Sequence, residues 1–196
     1  MARAREFEPE EAVAAAMRLF RSKGYNDSSI RDLSDCTGVG PYGLYGVFGS
    51  KHGLFLAALD HYRKTVTAEV LQALEAPGPA REVIAEALAR VLELMETPDG
   101  RVGCLMCNTA SELAPQDPEA AAKVKAHLDL LTDAFQKLLL REVKDAKAGK
   151  KAARKEAEEA AQFLAATVYG IGLLVRAGQD DAQIGRYIKT ALKAVG

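Results

Sequence analysis

Two cysteines three positions apart, Cys104 and Cys107 in "GCLMC", are the residues of this chain whose type and spacing most directly permit chemistry. Gly103 just before them reads as a helix boundary. That would place Cys104 among the free amides of a helix N-terminus, where a thiol is expected to ionise more readily. Cys107 would lie one turn further along the same face, so the pair could close a disulfide, react with an oxidant or electrophile, or hold a metal. A metal needs more ligands than this, and neither a second CxxC nor a histidine pair exists; His52, His61 and His127 are scattered. No Ser/His/Asp arrangement or glycine-rich phosphate loop stands out, so an enzyme, a cofactor and a metal site are not expected. Cys104 and Cys107 stay as a redox candidate beside the plainer reading of two small buried side chains.

The whole chain narrows the classes further. Its 196 residues are 48% hydrophobic and 27% charged, the balance of a globular protein of one large or two small domains. A formal net charge of −1 excludes any partner held by bulk basicity, so contact with nucleic acid would need locally placed cations. The opening "MARAREFEPEE" leads into no signal-peptide core. The longest apolar run, Phe163 to Val175, is shorter than the roughly 20 residues that span a bilayer. Three cysteines make no extracellular disulfide framework. A cytoplasmic location, reduced thiols and no membrane partner are therefore expected.

Apolar residues recur at helical spacing nearly throughout, which predicts an all-α chain of about nine helices. A first helix over 9–23 has Pro9 just inside its start, the stripe Val13, Ala16, Met17, Phe20, and Gly24 at its end. The next begins at Ser28 or Ser29, turns Ile30, Leu33 and Cys36 inward, and closes at Gly38. Ser50 caps a long helix through Phe55, Leu59, Tyr62, Val66 and Leu74, which "APGPA" stops. "PDG", "PQDP", Gly149 and Gly178 divide the rest, and Asp180 or Asp181 caps a last helix. The lysine- and alanine-rich tract 144–161 reads as a solvated loop and helix start.

Between the second and fourth helices lies "GVGPYGLYGVFGSK", with glycines at 38, 40, 43, 46 and 49. Two short helices meeting at a glycine turn predict a helix-turn-helix, whose second helix enters the major groove. Gly40 and Pro41 read as N-cap and first residue of that helix. At 100° per residue Leu44 and Phe48 face inward with part of Tyr45 and Pro41, while Tyr42, Gly43 and Gly46 face the duplex, where missing side chains let the backbone approach. Each glycine costs the helix about 1 kcal/mol relative to alanine.

The stretch "LFRSKGYNDSSIRDLSDCTGVGPYGLYGVFGSKHGLFLAAL" resembles the TetR/AcrR family of bacterial transcriptional regulators, from about Ala12 to Leu59. A later segment, "GCLMCNTASELAPQDPE", is similar to one branch of that family. The resemblance implies a homodimer with an N-terminal three-helix DNA-binding domain, assigned here to residues 1–50. A C-terminal helical domain for ligand binding and dimerisation, residues 51–196, would come after it. It also implies phosphate contacts from Ser29, Tyr45 and Lys51, and a basic arm carrying Arg3 and Arg5. Where the family commonly has serine, threonine, another polar residue and histidine, this chain has Gly40, Gly43, Gly46 and Val47. Direct readout is thus left chiefly to Tyr42, and a modest operator affinity is expected.

In the C-terminal half, Tyr62, Val66, Met95, Met106, Asn108, His127, Phe135 and Phe163 are the residues expected to line a pocket for a small, mainly apolar inducer. Plain core packing is the alternative for each. "FLAATVYGIGLLV" is apolar almost all round and must be covered on more than one side. With the last helix it predicts a four-helix isologous interface that uses Tyr169, Gly170, Leu173, Leu174, Ile184, Tyr187, Ile188 and Leu192, the glycines allowing close approach. The expected function is a dimeric, ligand-responsive regulator, most simply a repressor, that binds a palindromic operator on double-stranded DNA. An inducer, or oxidation of the thiols, would release it. The rival readings are a helical ligand-binding module with weakened DNA binding and a thiol-dependent enzyme.

Overall fold

Helix α1 (Pro9–Lys23) starts at its proline, whose missing N–H falls among amides that have no helical partner, and Glu10 and Glu11 sit at the positive end of its dipole. The computed structural model describes residues 7–97, 100–141 and 150–195. In it the α1 stripe Val13, Ala16, Met17 and Phe20 is buried as expected. Helix α2 (Ile30–Thr37) opens on a reciprocal capping box between Ser29 and Asp32 and closes at Gly38, which takes the left-handed conformation at φ 69°. Only Leu33 of its expected stripe is fully buried. Ile30 is half-buried and Cys36, expected inside, is exposed, because α2 meets its neighbours at mid-helix.

Helix α3 (Pro41–Phe48) and helix α4 (Lys51–Tyr62) come next, the latter capped by Ser50, whose hydroxyl accepts from the Gly53 N–H at 3.0 Å. The long fourth helix exists, but it passes through one π turn, Arg63–Thr67, before continuing as α5 (Ala68–Leu74). A π turn adds a residue to the ladder and rotates the helix beyond it. Regular spacing from Tyr62 would have buried Val66; instead Thr67 is buried and Val66 only half-buried.

Beyond α6 (Ala80–Leu94), β1 (Glu96–Thr97) pairs antiparallel with β2 (Gly100–Arg101), Glu96 opposite Arg101. Then come α7 (Leu105–Glu112), α8 (Pro118–Leu139), α9 (Lys150–Arg176) and α10 (Asp181–Ala194). Asp117 caps α8, accepting from the Glu119 and Ala120 amides at 3.0 Å, and Asp180 caps α10, accepting from Gln183 at 2.7 Å. With α4, the π turn and α5 counted as one rod, the described residues form nine helices, and the two-residue ladder is their single strand pairing. One apolar core joins α1 and α4 to α6, α7, α8 and α9 and takes in Leu33 of α2 and Leu44 of α3. Among the described residues no helix is long and apolar enough to cross a membrane.

Candidate DNA interface and the core behind it

The turn between α2 and α3 is fixed by short-range bonds. The Gly38 N–H donates to Ser34 O at 2.9 Å, and the Thr37 hydroxyl donates to Leu33 O at 2.7 Å while accepting from the Val39 N–H at 3.2 Å. Val39 packs partly buried between the helices, and α3 is anchored by Leu44, fully buried, with Phe48 half-buried beside it. The outer side of α3 carries Tyr42, 95% exposed, together with exposed Gly40, Pro41, Tyr45, Gly46 and Val47. Tyr42 therefore does not pack on its own domain. A Cβ on Gly46 would meet nothing within 4 Å, in keeping with an open face. Gly43 departs from the expected arrangement: it is half-buried, and a Cβ there would come 2.9 Å from Val39 Cγ1 and 3.6 Å from Phe7, so its bareness serves packing inside the domain.

Around α3 stand the groups that the resemblance implies for phosphate. Ser29 is exposed, yet its N–H and hydroxyl both donate to Asp32 Oδ2, at 2.7 and 2.6 Å, and the Asp32 N–H returns a bond of 3.1 Å to the hydroxyl. A bond from Lys23 and then those from Ser29 hold the Asp32 carboxyl well below the usual carboxylate range. The donors of Ser29 are thus committed inside the capping box, a constraint that spacing alone did not reveal. Arg31, two positions on, was not singled out by sequence and has its side chain 91% exposed; a basic residue in the first turn of α2 was the available signal. Lys51 Nζ lies 4.4 Å over the Tyr25 ring, and partial burial lowers its pKa. Arg3 and Arg5 lie outside the described residues.

Of the expected pocket, Tyr62, Met95, Met106, His127 and Phe135 are buried in the core. His127 joins the Thr67 hydroxyl through Nε2 at 3.1 Å and the Tyr169 hydroxyl through Nδ1 at 2.9 Å. Burial, and secondarily the Arg63 charge, lowers its pKa to about 4. Asn108 does not point into this group: its Nδ2 donates to Arg21 O at 3.3 Å. Phe163 is 43% exposed, on the outer side of α9, and cannot line an inner pocket.

Cys104 is the N-cap of α7, as expected, but it is 1% exposed, and burial pushes its thiol up. Bonds from Tyr62 and from the Cys107 and Met106 amides pull the other way; desolvation outweighs them, so the expected easy ionisation is not found. Cys107 is half-buried, its thiol pushed up to about 11 by burial and then by Cys104. A residue missed by sequence is Arg21, four positions after Met17 on the inner stripe of α1. Buried, it donates from Nε to Gly103 O at 2.7 Å and from Nη2 to Leu94 O, and its guanidinium lies 5.5 Å from the Tyr62 ring centroid.

On the proposed interface of α9 and α10, Leu173 is 60% exposed, and Leu174, Tyr187, Ile188 and Leu192 are half-buried. Ile184 is fully buried within its own chain, and Tyr169 is half-buried with its hydroxyl on His127. Gly170 and Gly172 do permit close approach, but within the chain: a Cβ on Gly170 would lie 2.5 Å from the Tyr187 hydroxyl, and one on Gly172 2.7 Å from Cys104 Cβ.

A two-helix reader with an exposed aromatic, carried on a helical body, defines a helix-turn-helix DNA-binding regulator. The pattern described as "Bacterial regulatory proteins, tetR family" matches residues 12–58, and that described as "Tetracyclin repressor-like, C-terminal domain" matches residues 80–191. The chain belongs to the TetR family. It is 33% identical to the uncharacterized HTH-type transcriptional regulator YezE of Bacillus subtilis, over 72% of this chain and 73% of that one. It is 32% identical to the HTH-type transcriptional repressor BdcR of Escherichia coli, over 62% of this chain and 61% of that one. Its fold is similar, at a TM-score of 0.86, 27% identity and coverage of 99% and 100%, to a cysteine mutant of the regulator CifR complexed with 26-base-pair double-strand operator DNA. Proteins of this family are DNA-binding regulators of transcription and not enzymes, in agreement with the sequence expectation.

Proposed function

We propose that this regulator acts as a homodimeric repressor in the cytoplasm, with residues 1–50 as the DNA-binding domain and residues 51–196 as the ligand-binding and dimerisation domain. Two copies of α3 enter successive major grooves of a palindromic operator. Tyr42 reads bases, with the exposed backbone of Gly40, Pro41 and Gly46 beside it, while Tyr45, Lys51 and Arg31 hold phosphate; Arg3 and Arg5 would add an arm. The observation that carries this is the full exposure of Tyr42 on a helix whose opposite side is anchored by Leu44. Tyr42→Ala should weaken binding to a palindrome selected in vitro by at least about tenfold at fixed salt, the scale of one good base contact. Unchanged gel-shift affinity would remove Tyr42 as the reader.

Release is assigned to a small, mainly apolar inducer that inserts among Tyr62, Met95, Met106 and Phe135 and takes hydrogen bonds from the Thr67–His127–Tyr169 chain. Modification of Cys104 or Cys107 by an oxidant or electrophile is the second route, favoured by the contact between Cys104 and Tyr62, one residue before the π turn. Loss of operator binding on diamide treatment, reversed by dithiothreitol and absent in Cys107→Ser, would support that route. A wild type insensitive to diamide leaves the inducer route alone.

A further inference from the structure

One side chain from the C-terminal half holds the turn between α1 and α2. Glu112, the last residue of α7, accepts hydrogen bonds from the backbone N–H groups of Tyr25 at 3.1 Å and Asn26 at 2.7 Å. A carboxylate at that end of a helix faces the negative pole of the dipole, so its position opposes α7 unless the two charge-assisted bonds offset it. The turn is shaped to admit it: Gly24 takes φ 89°, and a Cβ there would lie 2.9 Å from Glu112 Oε2. Asn108, one helical turn earlier on α7, grips Arg21 O, so α7 meets the end of α1 at two successive turns.

What Glu112 holds leads directly to the DNA face. The Tyr25 ring packs 4.8 Å from Phe55 of α4 and carries Lys51 Nζ above it, and three residues past Asn26 lies Ser29, the cap that starts α2. We infer that Glu112 is a positioning residue for operator binding: it fixes the α1–α2 turn against the C-terminal half, and thereby the placement of α2, Lys51 and α3, without touching DNA. This rests on the reading of α3 and Lys51 as the DNA face.

The test uses full-length protein and a palindrome selected from random duplexes by the wild type. Glu112→Ala should bind it about tenfold or more weakly, the scale of a lost charge-assisted bond. The slope of affinity against salt should fall by no more than about one phosphate contact, the one Lys51 loses when the turn beneath it loosens. Hydrogen exchange at the Tyr25 and Asn26 amides should accelerate. Glu112→Gln, which keeps one accepting oxygen, should fall between, and it carries the comparison should the alanine variant fail to fold. Wild-type affinity in folded Glu112→Ala overturns the inference, and so does tighter binding with a steeper salt slope, which would mean that the carboxylate had only been repelling phosphate. A wild type that selects no palindrome would overturn the reading of α3 instead, while unchanged exchange at Tyr25 and Asn26 would still sink the clamp.

Discussion

His127 occupies a place where a proton is costly: it is buried, its nitrogens face two hydroxyls, and the nearby charge is the cation of Arg63. Its pKa falls from 6.5 to about 4 on folding, so between those values the unfolded chain binds the proton and the folded one does not. The stability tied to this group is complete above pH 6.5 and is lost as pH falls towards 4, a total of about 3 kcal/mol by linkage. Urea unfolding of wild type and His127→Gln at pH 7, 5.5 and 4 should show a gap that changes across that window; a pH-independent gap would contradict the assignment. Cys107 gives a second test at the same scale. With its thiol pushed up to about 11, its alkylation by iodoacetamide in the folded protein should rise about tenfold per pH unit from 7 to 9, and a plateau by pH 8 would refute it. Sequence located both cysteines and the histidine, and it placed Cys104 at a helix start correctly. It expected an easily ionised Cys104 and missed the raised pKa because burial comes from other helices, Gly172 of α9 lying against Cys104, and local spacing holds no record of that contact.

At the level of elements, what lies within a few residues of chain was legible: Pro9, Ser29, Gly38, Ser50 and Asp180 start or stop helices where their chemistry requires. The π turn was not, since Arg63–Thr67 carries no residue that demands an extra position in the ladder, and the shift shows only in the exchange of Val66 for Thr67 inside. The sequence places helix α3 on its correct axis but misjudges one glycine, because Val39 folds back from the turn against Gly43. The two glycines should therefore respond differently to the same change. Gly46→Ala adds a methyl in open space within a helix and should stabilise the protein by about 0.5 to 1 kcal/mol in urea unfolding. Gly43→Ala must displace a β-branched side chain 2.9 Å away, and it should gain nothing or lose stability. Equal gains at both sites would mean that α3 is seated differently on α2.

At the scale of the molecule, an apolar strip lies uncovered among the described residues. On α9, Phe163 is 43% exposed and Leu173 60%, with exposed Ala166 between them, at spacings of three and seven residues that keep one side of the helix. Half-buried Ile188 and Leu192 of α10 continue the apolar material beside it. Such a strip fits a two-fold partner, and in the proposed dimer two α3 helices set about 34 Å apart would reach successive major grooves on one side of the duplex. Of the residues expected there, Ile184 is spent inside its own chain, so in the proposed dimer the contact would be carried further out, by Phe163, which the sequence assigns to the pocket, and by Leu173. Because both side chains are already exposed, Leu173→Glu and Phe163→Glu should leave the helical content of each chain intact. They should shift the mass measured by light scattering from dimer towards monomer, and the loss of the second half-site should weaken operator binding by about tenfold or more, the scale of a central interface residue. A Leu173→Glu protein that stays dimeric and binds operator normally would place the two-fold axis elsewhere on the helical body.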